Sequence, residues 1–421
     1  MSLLSPPAPA TAPLEQPNRR MPRGSTSLIW VLVSLLAVFL AEYLTGAVDL
    51  TSTNTVQNGL LRALPILLAG LGGVWAERSG VINIGLEGMM IFGTWGAAWG
   101  GYFAGPWIGL LAAAVFGALG GLLHAVATVT FGVNHIVSGV ALNLLGQGVT
   151  KYLSTLIFQP ISNNPRESPL VPKFDTYSSV GIGPWLERLE QKNWFGISDL
   201  AGIVHGLITG VSPLTMLCLA LVPITYLVLW RSRFGLRLRS CGENPVAAES
   251  LGVRVYLHKY VAVIASGALA GIGGATLVLN RGGSGYLEGQ TDGRGYIGLA
   301  AMIFGNWKPG GLLAGSALFG YTDGLQLTTG PKIVMALVYG VVLLIGAIAV
   351  WKLLQRKWLA CVIAGACAGL LYWFYWAVDE IPSELLPYTP HFVTLAVLAV
   401  SAQRLRMPAA DGFIYQRGRG G

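Results

Sequence analysis

Charge is scarce in this chain: Asp, Glu, Lys and Arg supply only 11% of the 421 residues, against about 25% in an ordinary soluble domain. So few charges cannot cover a surface meant for water, and a freely soluble globular protein is excluded. Cysteine is rare too. Cys218, Cys241, Cys361 and Cys367 form no C-x-x-C pair, and three of them lie inside apolar runs, where a thiol behaves as a small hydrophobe. No disulfide or metal framework is implied. His124, His135, His205, His258 and His391 are scattered without an H-E-x-x-H pair, which removes the commonest zinc signature. No Gly is followed by Lys, so the phosphate loop of an ATPase is missing, and no Ser sits in a G-x-S-x-G elbow. GRGYIG at 293–298 matches G-x-G-x-x-G, but no strand precedes it and no βαβ unit surrounds it. An intramembrane enzyme is thereby a distant reading.

What is abundant is apolar sequence, at 53% of the chain. A helix needs about 20 mostly apolar residues to cross a bilayer, and such runs recur. The first is 27–46, longer than a signal-peptide core and without a clear cleavage site. Others lie near 59–76, 81–104, 107–131, 136–158, 214–230, 260–280, 296–307, 311–328, 332–351, 359–378 and 390–404. The fold class is therefore an all-α polytopic membrane protein with about ten transmembrane helices, between 8 and 12 according to how interrupted pieces are counted. The piece 296–307 is too short to span and reads as half of a broken helix.

Residues 1–24, rich in Pro, Ala and Ser, read as a disordered cytoplasmic tail. The membrane domain is 25–406, with an external loop at 159–213, a cytoplasmic segment at 231–259 and a cytoplasmic tail at 407–421. Charge sets the orientation. Arg231, Arg233, Arg237, Arg239, Arg254 and Lys259 crowd one connecting segment, whereas 159–213 has no positive excess; the basic segment and both termini belong inside. The net charge of +8 thus serves topology, and no exposed basic face is left for nucleic acid. In the loop, Trp185, Leu186, Leu189 and Trp194 suggest a short docking helix.

Glycine is also plentiful, 57 residues, about twice the usual share. Small residues four apart recur at Gly117 and Gly121, Gly267 and Gly271, Gly311 and Gly315, and Gly320 and Gly324. In lipid this spacing lets helix backbones approach closely.

Segment 84–95, IGLEGMMIFGTW, is echoed by 297–307, IGLAAMIFGNW. Each copy follows a polar, glycine-rich break, and the layout runs them in opposite directions, the pattern of an inverted repeat around a transport path. The break ERSGVIN places Glu77 and Arg78 at a helix end within reach of water, and Glu87 about one turn into the next helix. Polar residues within spans are costly unless they face protein or water. Asn83, Glu87, Asn143, Gln147, Asn280, Asp323 and Gln326 are the path candidates, set against plain interhelical hydrogen bonding.

In 240–254, SCGENPVAAESLGVR, Asn244 suits an N-cap, Pro245 the first helical position and Gly252 the C-terminal cap. A helix of about two turns at the inner face is expected, fitted to a protein groove or, alternatively, to the bilayer surface.

Three stretches in this order, ERSGVINIGLEGMM, GENPVAAESLGV with SGALAGIGGA, and GYIGLAAMIFGNWKPGG, resemble the inner-membrane permease subunits of ATP-binding cassette importers. The resemblance is to the branched-chain amino acid and simple-sugar group, especially its nucleoside-type permeases, and covers most of 55–350. It implies a permease subunit, not an enzyme, that forms the path for a small polar solute such as a nucleoside; sugars and branched-chain amino acids are the alternatives. It implies that Glu243, Asn244, Pro245, Ala247, Ala248, Glu249 and Gly252 contact a separate ATPase subunit. No cofactor would sit in this chain, since the partner ATPase binds ATP. The partners implied are ATPase subunits, a second permease subunit, like or unlike, an extracytoplasmic substrate-binding protein and membrane lipid. The location implied is a bacterial plasma membrane. The rival class is a secondary carrier driven by an ion bound at Glu87 or Asp323.

Overall fold

Small polar residues begin the helices where the sequence offers them. The side chains of Ser52, Asn134, Ser212, Ser232 and Asn244 each accept a hydrogen bond from a first-turn amide, satisfying a donor that the helix itself leaves open. The computed structural model describes residues 23–177, 181–280, 285–328, 331–378 and 405–416, and among them helix dominates, with two isolated β bridges. The span expected at 390–404 and residues 1–22 of the expected tail lie outside the described residues.

In chain order the helices are α1 (Arg23–Thr45), α2 (Thr53–Arg78), α3 (Leu86–Ala104), α4 (Pro106–Ala125), α5 (His135–Ile157), α6 (Gln159–Ser162), α7 (Gly183–Glu190) and α8 (Ile197–Ile208). Then follow α9 (Pro213–Tyr226), α10 (Arg233–Glu243), α11 (Pro245–Ser250), α12 (Val255–Leu279), α13 (Arg294–Phe304), α14 (Pro309–Thr328), α15 (Pro331–Leu354) and α16 (Trp358–Ala377). Single π turns, Val126–Thr130 and Leu227–Arg231, extend α4 and α9. Ten of these stretches, α1 to α5, α9 with its π turn, α12 and α14 to α16, have at least 19 residues, or about 28 Å of helix. Six of the ten are also apolar enough to be membrane spans by composition, α2, α4, α9, α12, α15 and α16. The chain is a polytopic all-α membrane protein.

Helix α2 is central, with Ala63 to Val74 entirely buried, and α3, α12, α13 and α14 surround it. The glycine pairs lie where backbones touch. A Cβ on Gly117 would fall 2.2 Å from the Gly267 carbonyl oxygen, and one on Gly320 2.4 Å from the Ala63 nitrogen. These contacts close α4 onto α12 and α14 onto α2, where lipid gives no hydrophobic drive and close van der Waals packing must hold helices together. At the other extreme, α16 has no buried residue, so its apolar surface faces outward.

The segment 159–213 is not simply a loop. It folds as α6, α7 and the apolar α8, which packs on the start of α2 through Gly202 and Gly206. Leu186 is buried in α7 while Trp185 is exposed and Trp194 lies beyond the helix. Within the expected tail, the described residues 407–416 pack against the bundle at the end that carries α10 and α11.

Candidate functional site

Between α2 and α3 the chain leaves helical geometry for seven residues, 79–85, and inside a membrane bundle every freed backbone group needs a partner. The partners come from three other helices, α4, α5 and α12. Lys259 Nζ on α12 donates to the Gly80 carbonyl at 3.3 Å. The Ile82 N–H donates to His135 Nδ1 at 3.2 Å, and the Ile82 carbonyl lies 3.0 Å from His124 Nε2. Because a carbonyl only accepts, His124 carries its proton on Nε2 there, and its Nδ1 accepts from Ser138 Oγ at 2.9 Å. Asn143 Nδ2 donates to the Ile84 carbonyl at 3.1 Å. Asn83, fully buried, takes the Gly85 N–H on its Oδ1 and donates to Ser266 Oγ at 2.9 Å. The break is thus a built loop, not a frayed helix end.

Glu77 does not reach out to water as the sequence suggested, and Arg78 is half-buried. Glu77 is 5% exposed and accepts from Trp307 Nε1. The Arg78 guanidinium donates to the carbonyls of Asn306 and Trp307 and lies over the Trp230 ring. These contacts hold the turn between α13 and α14, whose Asn306 and Trp307 both adopt left-handed φ, 54° and 52°. Two successive non-glycine residues in that region persist only when their surroundings over-determine them.

Helix α13 is 11 residues long, about 16 Å and half a span. Its Gly298 faces Ile66 and Gly70 of α2, and its Met302 faces Gly73, so it runs parallel to α2. Helix α3 starts beside Gly72 and Gly73, where Leu86 sits, roughly 9 Å short of the end of α2, and runs antiparallel to it. The two copies of the repeated motif therefore point in opposite directions, and their N-termini meet.

Glu87 stands at that meeting point. Its Oε1 accepts the Gly293 N–H at 3.0 Å and its Oε2 the Gly295 N–H at 2.7 Å. The carboxylate caps α13 while sitting in the first turn of α3, so two positive helix ends converge on one negative charge. Across from it, Asn143 Oδ1 accepts the Gly88 N–H at 2.7 Å and its Nδ2 donates to Tyr296 Oη at 2.8 Å. Tyr296 is 46% exposed and opens the cluster to the outer face of the bundle. That face continues along α5 through exposed Val140, Leu144 and Gln147. The sequence echo aligns Gly85 with Gly298, yet Gly85 caps α3 whereas Gly298 lies in the second turn of α13; the second helix starts earlier because Gly293, at φ 72°, lets the chain turn in beside Glu87.

Of the path candidates, the structure brings Glu87 and Asn143 together, with Asn83 beneath them in the break. Asp323 on α14 also meets the N-terminus of α13, pairing at 3.0 Å with Arg294, which stands between Gly293 and Gly295, and at 3.2 Å with Arg62 of α2. Asn280 closes α12, accepting from Ser212 Oγ at 2.6 Å. Gln326 is on α14, and its side chain lies outside the described residues. Sequence reading missed His124, His135, Lys259 and Tyr296. The first three carry a usable signal, since an ionisable side chain in a span must find a polar partner.

At the α10 end, α11 is six residues long, shorter than two turns, with its caps as expected. Asn244 Oδ1 accepts the Ala247 N–H at 3.0 Å. Gly252, at φ 80°, ends the helix in a Schellman pattern, Val253 N–H to Ala248 O at 3.0 Å and Gly252 N–H to Glu249 O at 2.8 Å. Glu243, Asn244, Ala247 and Gly252 are exposed and Glu249 is half-buried. Pro245 and Ala248 are buried, Ala248 against Cys241, Val255 and Tyr415, so these two hold the helix in place. The outward apolar residues are Val246 at 44% and Leu251 at 85% exposure.

Comparison with known proteins follows this geometry. The family model described as "Branched-chain amino acid transport system / permease component" matches residues 55–347. The nucleoside ABC transporter permease protein NupC of Lactococcus lactis subsp. cremoris is 32% identical over 367 residues, 86% of this chain and 96% of its own. The guanosine ABC transporter permease protein NupQ of Bacillus subtilis is 35% identical over 279 residues, 64% of this chain and 80% of its own. The putative glucose ABC transporter permease protein TsgC13 of Haloferax volcanii is 35% identical over 270 residues, 63% and 74% of the two chains. No solved structure matches. The matched region holds the two copies of the repeated motif, on α3 and α13, together with α11, and the chain belongs to this family of ABC transporter permease components, as a membrane transport subunit and not an enzyme.

Proposed function

We propose that this chain forms the translocation path of an ATP-driven importer for nucleosides. The observation that carries it is the convergence of the α3 and α13 N-termini on Glu87 beside the exposed Tyr296. Helices that start within the bundle leave oriented backbone dipoles at a path, where they can serve a polar solute. Glu87 and Asn143 are taken up in holding the two halves, so they position the site. Solute contact falls to the Tyr296 ring, which suits a flat base, and to Gln147 on the same face.

A second permease subunit would cover that face and close the path. The α10 end, with Arg231, Arg233, Arg237, Arg239 and Arg254, lies in the cytoplasm of a bacterial plasma membrane on this reading, together with both termini. ATPase subunits that hold the ATP press on the exposed side of α11, and a solute-binding protein docks on the opposite end, where α7 and α8 lie. The names of the relatives support nucleosides first and sugars second. An ion-driven carrier is disfavoured by the two carboxylates it would need: Glu87 is held by backbone amides and Asp323 by two arginines.

The test is uptake of labelled guanosine by cells or liposomes carrying the assembled transporter. Competition by purine nucleosides, with none from glucose or leucine, is the expected result. ATP-independent uptake by this chain alone, driven by a cation gradient, would overturn the reading.

A further inference from the structure

Residues 405–416 contain neither helix nor strand, yet they are tied down along their length. The Arg406 N–H donates to Asn306 Oδ1 at 2.7 Å, the Ala409 N–H to the Glu243 carboxylate at 3.2 Å and the Ala410 N–H to the Gly242 carbonyl at 2.9 Å. The Ala410 carbonyl passes over Gly80, and Gly412, at φ 82°, lies against Ile82. The Tyr415 ring sits 5.6 Å from that of Tyr256, in one cluster with Cys241, Ala248 and Val255.

Asp411, 6% exposed, is turned inward. It faces Lys259 and Arg78, with Glu77 beside them. Burying a carboxylate costs several kcal/mol unless it is paired or protonated, and here burial raises the Asp411 carboxyl while its contacts with Glu77, Lys259 and Arg78 oppose that rise. One short segment therefore touches three things at once: α10 and α11, the break at 79–85, and the left-handed turn at Asn306.

We propose that residues 406–415 are a transmission strap that carries movement of α11 to the break before α3 and to the turn after α13. The proposal rests on the reading of α11 as the ATPase contact. Its physical basis is that the strap joins α11 through the cluster of Tyr415 with Ala248, Cys241 and Val255, while Val246 and Leu251 stay exposed. A push on α11 reaches Asp411 and Arg406 through the strap amides bonded to the Gly242 carbonyl and the Glu243 carboxylate, and from there the break before α3 and the turn after α13. Discrete packed contacts of this kind pass on displacement because a close-packed interior yields little.

The experiment uses the assembled transporter in liposomes, with ATP hydrolysis and labelled guanosine uptake measured in parallel. Asp411→Ala and Tyr415→Ala are expected to raise the ATP hydrolysed per guanosine about two- to thirty-fold, with the amount of bound ATPase unchanged. Tyr415→Phe, which keeps the ring, and Phe413→Ala, whose side chain is exposed, should keep the wild-type ratio. A wild-type ratio in both alanine variants overturns the strap, and so does loss of the ATPase in both, which would make the segment a fold element only. A wild-type chain that binds no ATPase overturns the reading of α11 as well, an outcome visible before any variant is made.

Discussion

Replacing Glu87 by Ala removes the acceptor of two buried amides, Gly293 at 3.0 Å and Gly295 at 2.7 Å. Each bond to a charged acceptor contributes about 1.5–3 kcal/mol, so the loss sums to about 3–6 kcal/mol. The lower half of that range is expected, because water entering the space left by the side chain can serve one amide. Glu87→Gln keeps one acceptor oxygen and should cost about half as much. Gly295→Ala attacks the same junction from the other side, since its Cβ would lie 2.6 Å from the Glu87 nitrogen, and it should destabilise comparably. As both changes separate the same two helix ends, the double variant should lose less than the sum of the singles. Thermal denaturation of the purified complex in detergent reads the stability, and guanosine uptake reads the function. If Glu87→Ala kept full stability while losing uptake, or the double variant were additive, Glu87 would be a solute ligand and not the junction between α3 and α13.

Three other outcomes follow from the structure. Leu251→Glu, at an 85% exposed position, should lower co-purification of the ATPase about tenfold or more while leaving thermal stability unchanged, because it puts a charge into an apolar contact. Asp323→Asn should cost about 2–4 kcal/mol of stability, since the Arg294 side chain, 8% exposed, loses its charged partner. Burial raises the Asp411 carboxyl from its ordinary 3.8 to about 7, with Lys259, Arg78 and Glu77 facing it. An acid whose pKa is higher when docked holds its proton more tightly there, so docking of the strap is strongest at low pH, weakens as pH rises from about 4 toward about 7, and is level above that. Trypsin cleavage at Arg406 should accordingly speed up between about pH 5.5 and about 7 and change little above it, relative to an Asp411→Asn reference, which lacks this carboxyl.

Much of this molecule was legible in its sequence because membrane insertion imposes local rules. Apolar run length fixed the all-helical class, and Asn244, Pro245 and Gly252 fixed the caps of α11, since caps depend on neighbours within a few residues. The four glycine pairs marked close packing correctly, because in lipid small residues have few other uses. The echo of IGLEGMMIFGTW gave the opposed directions of α3 and α13.

Tertiary structure alone decided the partners. That Glu87 caps a helix more than 200 residues away at Gly293 and Gly295, or that His124 and His135 bracket Ile82, depends on which helices lie side by side, and helical period does not encode that. Segment 159–213 hid its apolar α8 because its neighbours are polar, and 407–416 looked like tail because its stabilising groups belong to α10, α11 and α13. Glu77 and Arg78 seemed to sit at a wet helix end. Trp307 and the strap cover them, which no local pattern announces.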